Sequence, residues 1–210
     1  MQILIKTIGI GLLYLLYAYF CWLLVQIAWQ YVPFQTNVAF LQIKQDVVPL
    51  WHYRMAFVVH VYATLLVLPA GFVQFNGYVR KNFTQIHRYV GWVYILVILG
   101  FASPSGFWMG IYANGGLSSQ IAFCILALLW FYTTLQALLK IKNNDFSSHR
   151  NFMIRSFALT LSAITLRLWK TIFVYLFHPH PMDVYRLVAW LGWVLNIVLA
   201  EIIIFKLTKK

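Results

Sequence analysis

Six apolar runs fix what this chain can become. They lie at about 4–31, 53–75, 87–108, 119–140, 150–176 and 185–206. A helix needs about 20 mostly apolar residues to cross the hydrocarbon of a bilayer. Only 10% of the residues are charged and 62% are hydrophobic, whereas soluble domains run near 25% charged. A soluble chain of 210 residues has no interior large enough for that apolar surface. The expected fold is therefore all-α, a polytopic membrane helix bundle of six transmembrane helices. The first run is too long for a signal-peptide core and lacks a convincing cleavage site, so it counts as a helix. Connections are short except 32–52, which reads as a loop or as a helix lying on the membrane. No linker or low-complexity tract interrupts the chain, so 1–210 reads as a single transmembrane domain. Pro69 lies inside the second run and is expected to kink it.

Charge placement sets the orientation. The net charge of +12 comes in short basic clusters between the apolar runs, with no continuous basic groove, which argues for a membrane and against nucleic acid. With the N-terminus in the cytoplasm, the inner side holds Lys6, Arg80, Lys81, Arg88, Lys140, Lys142, Arg150, Arg155, Lys206, Lys209 and Lys210. The outer side holds Lys44, Arg54 and Arg186. This bias alternates correctly through all six runs and puts both termini in the cytoplasm. Arg167 and Lys170 fall within the fifth run. The outer connection from Ser103-Pro104-Ser105-Gly106 to Gly115-Gly116-Leu117-Ser118-Ser119 carries no charge.

An ionisable side chain inside a spanning helix is expensive, and each one is a functional hypothesis. His60 lies about 10 Å deep from the outer end of the second helix, with Thr64, Gly71 and Gln74 near the same face. It reads either as a packing histidine or as a metal or haem ligand or proton carrier. His87 opens the third helix from the inner side, with Gly91 and Tyr94 on its face. A glycine one turn from a histidine leaves room for a flat ring against the backbone, or it serves helix packing. His149 opens the fifth helix, and Ser156, Thr160 and Arg167 follow on one stripe if the helix is continuous. That stripe puts an imidazole and a guanidinium about 27 Å apart. Arg167 reads as an anion contact, or as a side chain reaching with Lys170 to outer head groups. Arg155 and Glu201 are expected to pair near the inner end. Ile86-His87-Arg88 and Ser148-His149-Arg150 echo one another, with Thr84 and Ser147 as expected N-caps.

Several chemistries fall away. Four acidic residues in the whole chain make a paired-carboxylate mechanism unsuitable. There is no nucleophile elbow, no phosphate-binding glycine loop and no His-Glu-x-x-His. Cys21 and Cys124 sit in apolar runs and read as packing residues. The His178-Pro179-His180-Pro181 turn lacks a third metal ligand in sequence.

The segments Ile86-His87-Arg88-Tyr89-Val90-Gly91-Trp92-Val93-Tyr94, His149-Arg150-x-x-Met153-x-Arg155-Ser156, Thr165-Leu166-Arg167-Leu168-Trp169, Ala189-Trp190-x-x-Trp193-x-x-Asn196 and Ala200-Glu201 together resemble the prokaryotic membrane proteins grouped as domain of unknown function 2306. The resemblance covers roughly 55–206 and leaves the first helix outside. It implies a multi-pass protein of a prokaryotic cell (inner) membrane and brings no activity with it. Ile86-His87-x-x-x-Gly91 is also similar to the helix start of transmembrane b-type cytochromes of the ascorbate and ferric-reductase kind. Those proteins hold haem between histidines on neighbouring helices, at positions similar to His87 and His149. The fourth run here has no histidine, so that resemblance implies one haem rather than two.

Taken together, these readings point to an integral membrane redox or electron-transfer protein with one b-type haem near the inner face. His87 and His149 are its expected axial ligands to the haem iron, beside Gly91. Arg88, Arg150 and Arg155 are expected to neutralise propionates or a bound anion. His60 and Arg167 are expected to form an outer site for a quinone, a metal or a second haem. Two other readings stay open. One is a non-redox protein binding or transporting a lipid, quinone or small anionic ligand at His60 and Arg167. The other is a structural subunit of a membrane complex. Expected partners are membrane lipids and a quinone or redox protein, with no nucleic acid.

Overall fold

Long apolar runs with few helix breakers give long helices, and the structure, a computed structural model, is built from them. It describes residues 2–209. Lys210 and the side chain of Lys6, both counted on the inner side, lie outside the described residues. The helices are α1 (Gln2–Trp29), α2 (Trp51–Phe75), α3 (Gly77–Asn82), α4 (Thr84–Ile111), α5 (Leu117–Lys142), α6 (Phe146–Thr160), α7 (Ser162–Phe177) and α8 (Pro181–Thr208). No strand occurs among the described residues. Among the described residues five stretches are long and apolar enough to cross a membrane: α2, α4, α5, α6 with α7, and α8. In α1 the described apolar stretch, Tyr14–Trp29, is shorter.

The chain divides between Val48 and Pro49 into two compact units. In the first, α1 leads into a 3-10 turn at Ala39–Lys44. There the Phe40 amide donates to the Tyr31 hydroxyl at 3.2 Å and the Gln45 carboxamide donates to the Thr36 carbonyl at 2.6 Å. In the second unit, α2 packs on α4, α4 on α5, α5 on α6, and α6 and α5 on α8. Its core is formed by Val67, Tyr94, Ile98, Ala102, Trp130, Ala137, Leu159 and Trp193.

Three local features depart from the sequence reading. Ser103–Gly106 is helical, so the connection to α5 begins only at Tyr112. Pro104 has no N–H and its ring crowds the carbonyl four residues back. The helix therefore widens to a π turn at Ile98–Ala102, where the Ser103 N–H reaches the Ile98 carbonyl. The chain then turns at Gly115 and Gly116, whose φ of +84° and +76° suit glycine.

The fifth run is broken. Residue 161 is not helical, and α6 and α7 meet there. The continuous stripe from His149 to Arg167 therefore does not exist. Asn196 of α8 accounts for the break, because its carboxamide donates to the Ala158 carbonyl and to the Thr165 hydroxyl, both at 3.0 Å. A backbone acceptor at the break is thereby satisfied inside the apolar layer, as that environment demands. Close approach of α8 is allowed by Gly192, whose Cα faces Leu166.

The N-caps also differ. Asp145, not Ser147, caps α6 by accepting from the Ser148 N–H at 3.0 Å. Asn76 caps the short α3, which lies in the connection between the second and third apolar runs, and Thr84 is the first residue of α4 rather than its cap.

Candidate functional site

The polar side chains of the second unit collect at three levels. At the basic end, α6 starts from the Asp145 cap. The Ser148 N–H, its hydroxyl and the Lys140 ammonium 3.7 Å away hold the Asp145 carboxyl below the usual carboxylate range. One turn on, His149 is half-buried and its Nδ1 donates to the Ala137 carbonyl of α5 at 2.8 Å. A carbonyl can only accept, so this bond fixes the tautomer and leaves Nε2 with a free lone pair. His87 of α4 lies within electrostatic reach of His149, Arg80 and Arg88. Its Nδ1 is buried and has no hydrogen-bond partner, and the same holds for Arg150 Nε and Asn151 Oδ1. Buried polar atoms are normally satisfied, so such orphans invite explanation.

The structure brings His87 and His149 to one end but takes Arg155 elsewhere. Arg155 makes a two-point fork onto Glu201 of α8, Nε to Oε1 at 2.6 Å and Nη2 to Oε2 at 2.9 Å, over the Phe152 ring. The expected pairing with Glu201 is therefore present, and it directs the Arg155 guanidinium to the α8 side of α6. The room expected beside Gly91 is taken by Gln74 of α2. A Cβ at residue 91 would meet Gln74 Oε1 at 3.0 Å, and Gln74 Nε2 donates to the His87 carbonyl at 3.0 Å.

At the opposite end, His60 repeats the arrangement of His149. Its Nδ1 donates to the Ala102 carbonyl at 2.9 Å, at the end of the π turn, and its Nε2 keeps a lone pair. Ser105 lies 3.4 Å from the same nitrogen, and its hydroxyl donates to the Phe101 carbonyl at 2.5 Å. Arg167 of α7 lies within electrostatic reach of His60. It is exposed, and its guanidinium also donates to the Ala163 carbonyl.

Between the two ends lies a hydroxyl network that sequence reasoning saw only in part. Ser156 and Thr160 of α6 and Tyr94 of α4 carry sequence signals of their own, but nothing in the sequence pairs them, or joins Trp130 and Thr134 to them. The Trp130 indole donates to Thr160 Oγ1 at 3.1 Å, and Tyr94 Oη lies 2.8 Å from Thr160 Oγ1 and 3.0 Å from Ser156 Oγ. Ser156 Oγ lies 2.7 Å from Thr134 Oγ1, which donates to the Trp130 carbonyl at 2.7 Å, and Thr160 donates to the Ser156 carbonyl at 3.0 Å. One assignment uses every hydrogen: Tyr94 donates to Thr160 and Ser156 to Thr134. The network then ends on two main-chain carbonyls. A visible signal was Trp130 with Thr134 four residues on, both polar-tipped on one face of an apolar helix.

Among the described residues no group of three or more histidine, cysteine, aspartate or glutamate side chains converges as a metal site. Comparison with curated proteins and with solved structures found no match. Residues 57–204 match the family model described as "Predicted membrane protein (DUF2306)", within the helical unit that carries all three polar levels. That is most of the chain, and the protein belongs to this family of membrane proteins.

Proposed function

We propose that this protein is a membrane electron-transfer protein that holds one b-type haem at its basic end, with His87 and His149 as axial ligands. The observation that carries the reading is the orientation of His149. A metal-binding imidazole characteristically donates its other N–H to a carbonyl or carboxylate, which fixes the ring and raises its basicity. The Nδ1 bond to Ala137 does this and presents Nε2. His87 adds a second imidazole within electrostatic reach, with a buried, unpartnered nitrogen.

The donor set therefore suits a bis-imidazole haem. The Gly91 face suits it once the Gln74 carboxamide, the far end of a flexible side chain, turns aside. When bound, the haem supplies one-electron chemistry at iron, with a potential set by its axial ligands and by burial. This chain's residues would do the rest: Ala137 orients His149, and Arg88 and Arg150 would neutralise the propionates, Arg150 with a buried Nε still to be satisfied.

A second reading has its own observation. His60 is held by Ala102 as His149 is held by Ala137, and Arg167 lies in electrostatic reach of it. The lone pair of His60 can accept one hydrogen bond from a ligand, and the Arg167 guanidinium can donate others to it. A quinone, a lipid or a small anionic ligand matches that pattern.

The test is a reduced-minus-oxidised visible spectrum of protein purified from haem-replete cells. The expected result is an α-band that disappears in both His87→Ala and His149→Ala and survives in His60→Ala. A colourless wild-type protein overturns the haem reading. Saturable quinone binding that is lost in Arg167→Ala supports the second.

A further inference from the structure

Gln74 was legible in the sequence only as a neighbour of His60 on one face of α2. In the structure it reaches the other polar level. It is 8% exposed and makes two contacts with α4, one turn apart. Nε2 donates to the His87 carbonyl at 3.0 Å, and Oε1 lies 3.0 Å from where a Cβ at residue 91 would stand. Inside a helix the His87 carbonyl already accepts from the N–H of Gly91, four residues on. The carboxamide takes the second lone pair, so it ties α2 to His87 and Gly91 together. It fits there because residue 91 has no side chain.

One turn back on α2, the space at Gly71 is filled by aromatic rings. A Cβ at Gly71, one turn before Gln74 on α2, would meet the Phe157 ring at 2.6 Å and the Tyr94 ring at 3.0 Å. Phe157 is stacked on Phe75 at 4.9 Å, and Tyr94 is pinned by the hydroxyl network. Those rings close the space at Gly71, whereas at Gly91 the atoms within 4 Å of a Cβ all belong to the Gln74 carboxamide, the end of a flexible side chain.

We infer that Gln74 is the positioning and access residue of the basic-end site. It holds the His87 main chain in place and determines whether a flat macrocycle can reach His87 across Gly91. The macrocycle clause rests on the haem reading above, whereas the access clause does not.

The experiment uses the full-length, haem-free protein in detergent micelles, modified with diethyl pyrocarbonate and read by peptide mass spectrometry. The measured quantity is the rate at His87 divided by the rate at His178, an exposed reference outside the bundle core. Gln74→Ala should raise this ratio several-fold. Gln74→Asn, one methylene shorter and polar enough to keep the fold, should raise it less. Gln74→Leu, which still covers Gly91, should leave it near the wild-type value. A ratio unchanged in both Gln74→Ala and Gln74→Asn overturns the inference. In parallel, hemin is titrated into each variant, with faster uptake expected for Gln74→Ala than for wild type. If wild type takes up no hemin, the haem reading falls and the His87 ratio still decides the role of Gln74. If wild type takes up hemin and Gln74→Ala takes it up no faster, the macrocycle clause fails while the haem reading stands.

Discussion

The hydroxyl network at mid-bundle and the histidine pair at the basic end are both polar groups set in an apolar chain, and they differ in one respect. In the network, Tyr94, Trp130, Thr134, Ser156 and Thr160 satisfy one another and end on main-chain carbonyls. At the basic end, His149 is oriented by one bond that leaves Nε2 available, and His87 Nδ1 and Arg150 Nε have no partner. A satisfied buried network rigidifies and specifies a packing arrangement. A partly satisfied one carries a desolvation penalty that a bound group can remove. The first region is thereby suited to stability, and the second is where we propose binding.

Removing the centre of the network should give the largest loss of stability. Trp130 is 7% exposed, and its indole fills the mid-bundle core and donates to Thr160. Trp130→Ala leaves a cavity and removes one of the two donors to Thr160, Tyr94 remaining as the other. In water such a truncation costs about 3–5 kcal/mol. Lipid hydrocarbon is as apolar as the bundle core, so the transfer part largely drops out, and about 3 kcal/mol is expected. His149→Ala, on the same helix as Ser156, should cost clearly less while abolishing any His149-dependent spectrum. Thermal unfolding in detergent of both variants checks the contrast. Equal destabilisation by the two would erase the division between the regions.

The same contrast separates what was readable in the chain from what was not. The spans were legible because long apolar runs leave a membrane chain no other solution. The Arg155–Glu201 fork was legible because Glu201 is the only acid toward the inner end of the last run. The His87 and His149 level followed from two His-Arg helix starts entering from one side. What failed depended on contacts between distant helices. Nothing at Leu161-Ser162 resembles a helix breaker, and the break there is met by Asn196 of another helix, so counting residues along one continuous helix to Arg167 went wrong. Ser103-Pro104-Ser105-Gly106 looks like a turn, but the wider π turn before it absorbs the proline. Gln74 beside Gly91 and Tyr94 beside Ser156 are also cross-helix pairs, which periodicity along one helix does not reveal.

A subtler cut leaves the packing intact. Tyr94 is fully buried, and its hydroxyl lies between Thr160 and Ser156. Tyr94→Phe deletes one oxygen, yet Trp130 still donates to Thr160 and Ser156 still donates to Thr134. No buried donor loses its acceptor. Hydrogen bonds between membrane helices average about 0.6 kcal/mol, so a loss of about 1 kcal/mol is expected, with the spectrum unchanged. Urea or heat titration in detergent measures it. A loss as large as that of Trp130→Ala would mean that the network is less redundant than its geometry indicates.

The smallest effect belongs to Asp145, at the water-facing start of the helix that carries His149. Its carboxylate accepts from the Ser148 N–H at 3.0 Å, which holds its pKa below the ordinary value of 3.8, with Lys140 adding to the effect. A carboxyl whose folded pKa is depressed contributes stability at pH above its unfolded value, and that contribution is lost as pH falls through the folded one. The gap in unfolding temperature between wild type and Asp145→Ala should therefore be constant near neutral pH. It should start to shrink only below about 3.8 and close at lower pH still. Asp145→Asn, which keeps a capping oxygen but no charge, should show a smaller gap with little pH dependence. Because the cap positions the first turn of α6, the variants also ask whether His149 needs it. The Ala137 acceptor belongs to α5 and does not depend on the Asp145 side chain, so the His87–His149 level should survive in Asp145→Ala. Loss of any His149-dependent spectrum in Asp145→Ala at neutral pH would show that the solvent-side cap, rather than the α5 carbonyl, sets the imidazole.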